Sequence, residues 1–101
     1  MPFPAQILAL PDFQGRFSAK RLDADGCTVY FASYPADTRI EEHAHDTENA
    51  GVIVRGKLHL TTAAGERIFG PGDWYTLAPG EPHAAFFPVE TEEIEFWFEA
   101  K

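Results

Sequence analysis

Residues 42–56 read EHAHDTENAGVIVRG: two histidines one residue apart, then a carboxylate, an amide and an apolar run that ends at glycine. Side chains at positions i and i+2 of a β-strand stand on the same face. In an extended chain His43 and His45 would therefore point at one common spot, and counting on by twos reaches Asn49, whereas Glu48 falls on the other parity. Imidazole is the commonest metal ligand at neutral pH. The stretch therefore predicts half of a metal site.

Around this stretch, short segments with strand character alternate with turns. Residues 27–34 are rich in β-branched and aromatic side chains, as strands are. No segment shows a convincing helical period longer than about two turns. Strands spaced by about 8 to 12 residues with turn signals between them indicate a sandwich or barrel. The sequence therefore predicts an all-β domain, in which residues 1–16 form an N-terminal arm or edge strand rather than a helix.

The last predicted strand, residues 93–99, alternates almost without error. One face carries apolar side chains and the other carries mostly acidic ones, with Ile94, Phe96 and Phe98 opposite Glu93, Glu95, Trp97 and Glu99. We expect the acidic run from Glu90 to Glu99 to be the solvated face of an edge strand. A large aromatic residue among the glutamates suggests a covered surface. Trp97 therefore supports the expectation of a homodimer.

Length and charge limit the possible functions. A chain of 101 residues has room for one hydrophobic core, so we expect a single domain spanning residues 1–101. The net charge is −8, and the only local basic group is Arg16, Lys20 and Arg21, so nucleic acid is not an expected partner. No apolar run of about 18 residues predicts a membrane span. Residues 1–4, MPFP, lack the features of a secretory signal, so a cytoplasmic location is expected.

The second half of the predicted site is found in residues 72–83, GDWYTLAPGEPH, which place one histidine just after a loop of proline and glycine. With this segment the chain resembles a small single-domain cupin. The first cupin motif runs His-x-His, three or four residues, Glu, six residues, Gly. His43, His45 and Gly56 match it, and Asn49 stands where the family most often has Glu.

The second cupin motif runs Gly, five residues, Pro-x-Gly-x-x-His, three residues, Asn. Gly72, Gly80 and His83 match it, whereas Ala78 stands in place of the first proline and Phe87 in place of the final asparagine. The two motifs cover residues 38–87, about half of the chain. The resemblance implies a double-stranded β-helix, or jelly-roll barrel, with metal held inside by residues of both motifs.

Carried over from the family, the metal ligands are His43, His45 and His83. The fourth ligand is Asn49 through its amide oxygen, or Glu48 if a bulge re-aims the strand. Strand alternation favours Asn49. Such a site suits one divalent transition-metal ion, and Fe, Mn, Ni, Zn, Co and Cu are not distinguished by ligand type.

Three functions are compatible with this prediction. The first is a metal-dependent enzyme of dioxygenase, isomerase or lyase type acting on a small anionic organic molecule, with no catalytic side chain identifiable. The second is a non-catalytic module that binds a small ligand or sugar, and the third is a barrel without metal. Fold alone does not decide among them.

Several other polar side chains are assigned lesser roles. Asp46, Glu41 and Glu48 are candidates to orient the histidines through hydrogen bonds. His59 is expected to face solvent, because it lies opposite Leu58 and Leu60 in an alternating strand. The chain has one cysteine, Cys27, which excludes an internal disulfide. Cys27 is expected to be a small buried hydrophobe. Arg55 is interpreted as a solvated residue at a strand end, with a substrate-binding role at the barrel mouth as the alternative.

Overall fold

Nine β-strands and one short helix form the computed structural model of the chain, which describes residues 3–15 and 17–99. The helix is α1 (Ala5–Leu8). The strands are β1 (Ser18–Ala24), β2 (Cys27–Tyr34), β3 (Thr38–His43), β4 (Asn49–Arg55), β5 (Leu58–Thr62), β6 (Gly65–Phe69), β7 (Trp74–Leu77), β8 (His83–Phe87) and β9 (Thr91–Phe98). The turns predicted from glycine, proline and aspartate separate them.

The strands form two antiparallel sheets. Five strands pair in the order β1-β2-β9-β4-β7, and four pair in the order β3-β8-β5-β6. The core lies between them: Tyr34 of the first sheet stacks on Phe87 of the second, with ring centroids 4.2 Å apart, and Ile53, Leu58 and Leu60 belong to the same buried cluster. The predicted all-β jelly-roll barrel is confirmed.

The N-terminal segment differs from the prediction. An arm or edge strand was expected, but residues 5–8 form one helical turn. The turn forms because Pro4 supplies an extended residue at the N-cap position and the residues after it favour a helix. Phe3 packs edge-on against Phe31 at 5.7 Å between centroids, and Asp12 makes an isolated bridge to Lys20. Met1, Pro2 and Arg16 lie outside the described residues. With four residues, the one helix in the described part of the chain is too short to cross a membrane.

Strand β9 is central, not an edge strand as predicted, because it pairs with β2 on one side and β4 on the other. Its side chains alternate as predicted, but the faces are inverted relative to the prediction. Glu93 and Glu95 are buried, at 1% and 8% exposure, whereas the apolar Phe98 is 38% exposed. The acidic face therefore points into the barrel, where phenol groups are its partners.

Gly56 ends β4 for a steric reason. Its φ is +99°, and a Cβ there would lie 2.5 Å from the carbonyl oxygen of Glu90 and 2.4 Å from Oγ1 of Thr91. A side chain would thus be strained and would collide with backbone atoms. The last glycine of the first motif therefore turns the chain tightly past the start of β9.

Candidate metal centre

Two histidines of the centre face each other across a pair of strands. His43 ends β3, His83 begins β8, and the two residues are direct partners in the antiparallel register. Their ring centroids are 4.3 Å apart. A register shift between Ile40 and His43 bends β3 at this point, as bulges near sites commonly do.

The third histidine lies beyond the end of the strand. His45 follows β3 in irregular backbone, so its position does not come from strand alternation as predicted. The backbone N–H of Gly80 donates a hydrogen bond to the carbonyl oxygen of His45 at 2.7 Å. This bond ties the loop of the first motif to the loop of the second. The His45 ring centroid lies 4.8 Å from that of His43 and 5.0 Å from that of His83.

The ligand nitrogens of the three histidines all lie within 4.8 Å of one another. Two nitrogens bound to one ion at about 2.1 Å in tetrahedral geometry lie about 3.4 Å apart. The widest pair must therefore move closer together on binding, a change that side-chain torsions can supply. The three imidazoles can hold a single metal ion.

Backbone carbonyls orient two of the imidazoles. Nδ1 of His43 lies 2.8 Å from the carbonyl oxygen of Glu41, and Nδ1 of His83 lies 3.0 Å from that of Glu81. A carbonyl only accepts, so Nδ1 carries the proton in both rings and Nε2 is left as the metal-binding atom. Glu41 thus serves through its backbone rather than its carboxylate, and the role of Glu81 was not predicted. Burial lowers the pKa of His83, which favours the neutral, ligating form.

Asn49 and Glu48, the two candidates for the fourth ligand, differ in burial and in position relative to the histidines. Asn49 begins β4, is 3% exposed and lines the same cavity as the three histidines, whereas Glu48 is exposed. The Asn49 amide N–H donates to the carbonyl oxygen of Glu48 at 3.1 Å. Among the described residues, its Oδ1 is a buried acceptor with no hydrogen-bond partner. A buried unpaired amide oxygen is costly in an apolar interior, and a cation would satisfy it.

A cavity of about 680 Å³ opens beside the centre, which is within the range of small-molecule sites. Its walls combine apolar core side chains with aromatic and acidic ones from the five-stranded sheet. Among the lining residues are the three histidines, Asn49, Tyr34, Tyr75, Glu93, Glu95 and Trp97. Trp97 therefore faces the interior and not a dimer surface, so the reasoning from Trp97 to a homodimer was wrong. Its ring lies 4.4 Å from that of His45.

Glu93 and Glu95 form a buried acid pair in the cavity wall. The Tyr34 hydroxyl donates to Oε2 of Glu95 at 2.6 Å, and the Trp97 indole N–H donates to Oε1 of the same carboxylate at 3.0 Å. The Tyr75 hydroxyl donates to Oε1 of Glu93 at 2.5 Å. The two carboxyl groups also act on each other electrostatically, since a charge on Glu95 raises the pKa of Glu93.

Burial shifts these groups toward their neutral forms. Loss of hydration raises the pKa of Glu93 well above its usual value, and the neighbouring Glu95 adds to the rise. Burial also raises the pKa of Glu95, while hydrogen bonds from Tyr34 and Trp97 oppose that rise. The pKa of the Tyr75 phenol is raised by desolvation first and by Glu93 second. Because both carboxyl groups are buried, the pair tends to retain a proton.

The structure excludes other predicted candidates from the centre. Arg55 pairs with Glu90 and Glu92 on the outside of the barrel and is not part of the cavity wall. His59 is half-buried rather than solvent-facing. Its Nδ1 lies 3.8 Å from Oε1 of Glu66, and it does not belong to the cluster of His43, His45 and His83. Cys27 is a free thiol of intermediate exposure, less buried than expected.

Sequence reasoning missed Glu93 and Glu95, although one signal was available. A tryptophan shared their face of β9, and a face that carries a large aromatic residue can equally be an interior face. No pattern in β9 alone decides between the two orientations.

Comparison with known proteins agrees with this architecture. Residues 30–96 match the family model described as cupin domain. Among solved structures, the fold is similar to a cupin superfamily protein from Desulfitobacterium hafniense DCB-2, with a TM-score of 0.78 at 13% identity over 99% of this chain and 92% of that one. A cupin 2 conserved barrel domain protein from Salinispora arenicola CNS-205 gives a TM-score of 0.77 at 20% identity, covering 97% and 87%.

A third similar structure is an RmlC-like cupin from Shewanella frigidimarina NCIMB 400, with a TM-score of 0.76 at 19% identity over 89% of this chain and 82% of that one. At these identities the likeness concerns the fold alone. No curated protein matches the chain.

Proposed function

The chain belongs to the cupin family, and from this premise we propose that it binds one divalent transition-metal ion through His43, His45, His83 and Asn49. One observation carries the proposal: three imidazoles with ligand atoms within 4.8 Å of one another share a cavity with the unpaired buried Oδ1 of Asn49. Nitrogen and amide-oxygen donors suit first-row transition metals. The donor set therefore fits the ion that the fold family implies.

The charge of the four metal ligands determines which kind of molecule binds well beside the ion. Three neutral imidazoles and a neutral amide leave the double positive charge of the ion uncompensated, which favours a ligand with an anionic oxygen. When bound, such an ion supplies a Lewis acid that polarises a coordinated substrate oxygen. We therefore propose a metal-dependent enzyme of dioxygenase, isomerase or lyase type that acts on a small anionic organic molecule.

The cavity wall also supports a second candidate, a non-catalytic module for a small ligand or sugar. Aromatic rings beside carboxylates, here Tyr75 and Trp97 beside Glu93 and Glu95, suit a molecule with both apolar faces and hydroxyl groups. The two candidates share the same site. They differ in whether the bound molecule is chemically changed, which product analysis of the metal-loaded protein with the bound molecule would decide.

Cobalt(II) is a suitable probe of the proposed centre, because its visible spectrum reports coordination. Protein stripped with a chelator and titrated with Co²⁺ should develop the absorption of a nitrogen-ligated ion up to one equivalent. Added acetate should then change the spectrum, since an anionic oxygen can enter an open coordination position. A spectrum identical to that of aqueous cobalt throughout the titration would overturn the proposal.

We also propose that the chain forms a homodimer, through the outer face of the five-stranded sheet. This face is apolar because the alternation of β9 points Ile94, Phe96 and Phe98 outward. Trp74 of β7 is 57% exposed and stacks against Phe96 with centroids 5.8 Å apart. Exposed aromatic residues of this kind are common at the centre of interfaces.

A further inference from the structure

We propose that Glu95 is a second anchor in the cavity, which accepts a hydrogen bond from a hydroxyl group of the molecule held at the metal. This inference rests on the proposed function and refines its substrate class. The ligand would be a small hydroxy acid, with its carboxylate at the ion and its hydroxyl group at Glu95.

Glu95 has acceptor capacity left over. A carboxylate offers about four lone-pair positions. The described side chains fill two of them, through the Tyr34 hydroxyl and the Trp97 indole N–H. These two donors also fix the orientation of the carboxylate, so that a further donor meets a preorganised acceptor.

Glu95 lies in the same cavity as the proposed centre, since it and the three histidines all line that cavity. Trp97 connects the two regions, because its N–H bonds to Glu95 while its ring contacts that of His45 at 4.4 Å. One small molecule can therefore reach both the ion and the carboxylate.

Glu95 also contrasts with the rest of the cavity wall. Apolar side chains form much of the lining, including Leu58, Leu60, Leu77 and Phe87. A hydroxyl group buried against them without a partner would cost free energy. A site built to hydrogen-bond a hydroxyl group also discriminates strongly against an analogue that lacks it.

The test compares matched acids on the cobalt-loaded protein. Propionate is compared with 3-hydroxypropionate, and butyrate with 4-hydroxybutyrate, by titration followed in the cobalt spectrum. At least one hydroxylated acid should bind about tenfold tighter than its alkyl partner, as expected for a hydrogen bond to a charged group. In Glu95→Gln, which preserves size but removes the charge, this preference should fall to about twofold or less.

Glu92→Gln is the matched control, since it removes one charge from the same strand, and its carboxylate pairs with Arg55 away from the cavity. It should retain the full preference. Equal binding of the hydroxylated and alkyl acids, or a preference unchanged in Glu95→Gln, would overturn this inference while leaving metal binding intact. Failure of every acid to alter the cobalt spectrum would overturn the proposed function and this inference with it. If Glu95→Gln does not fold, the comparison of hydroxylated with alkyl acids on the unsubstituted protein tests the inference by itself.

Discussion

His43 and His83 are direct partners in the antiparallel pairing of β3 and β8, and each ring bonds through Nδ1 to the backbone carbonyl two residues before it. This symmetry leaves both Nε2 atoms available to one ion. Two of the three histidines of the proposed centre are thus held by paired strands of the barrel, which fix ligands more rigidly than loops do, whereas His45 lies in the loop after β3.

The fourth ligand can be tested at two neighbouring residues. Asn49→Ala should weaken Co²⁺ binding about tenfold or more, because it removes the buried amide oxygen. Asn49→Asp should tighten binding, since a carboxylate compensates part of the ion's charge. Both are measured by competition with a chelator. Glu48→Gln is the control and should bind as the parent does; a larger effect at Glu48 than at Asn49 would assign the ligand to Glu48.

The acid pair should make stability depend on pH. The folded-state pKa of Glu93 lies well above its unfolded value. Its contribution to folding is therefore fully present below the unfolded pKa of about 4.3, and is lost as pH rises toward the folded pKa. In urea denaturation of chelator-treated protein, Glu93→Gln should show a smaller loss of unfolding free energy with rising pH than the parent. Parallel pH profiles would contradict the burial of an acidic proton at Glu93.

Gly51 should be intolerant of any side chain. A Cβ there would lie 2.4 Å from the ring of Tyr75, so Gly51→Ala would push the phenol away from Glu93. We expect a loss of roughly 1–3 kcal/mol in unfolding free energy, the usual cost of overpacking. Gly26→Ala is a control with no atom within 4 Å of the added Cβ, and its cost should reflect its positive φ alone. If Gly51→Ala is as stable as the parent by urea denaturation, Tyr75 does not pack over Gly51 as described.

Trp74 should control assembly if the outer face of the five-stranded sheet joins two copies. Trp74→Glu places a charge on that face, in its edge strand β7, and should convert a dimer to a monomer in sedimentation equilibrium. Ile68→Glu is the matched control, because Ile68 is 58% exposed on the four-stranded sheet. An unchanged mass for Trp74→Glu, or dissociation by Ile68→Glu instead, would contradict the assignment of the interface.

The sequence predicted those features that depend on local chemistry. Glycine, proline and aspartate marked the turns, so β2 was predicted with its observed bounds, Cys27–Tyr34. The resemblance to the two cupin motifs predicted His43, His45 and His83 as ligands, and the structure brings these three side chains together. The cluster they form could be predicted because each ligand belongs to a motif with fixed spacing.

The orientation of β9 could not be predicted, because alternation defines two faces without saying which is interior. The usual preference for buried apolar residues placed the glutamates outside. Their burial depends on Tyr34 and Tyr75, which come from distant parts of the chain and donate to the carboxylates only in the folded barrel. The approach of His45 to His43 likewise depends on the hydrogen bond from Gly80 and not on strand alternation.

Metal content tests the central claim most directly. Protein purified without chelators and then reconstituted should contain about one equivalent of a transition metal by elemental analysis. His83→Ala should lose most of this metal, because it removes the ligand that β8 supplies opposite His43. Less than about a tenth of an equivalent in the parent after reconstitution, or equal metal in His83→Ala and the parent, would contradict a metal centre at these histidines.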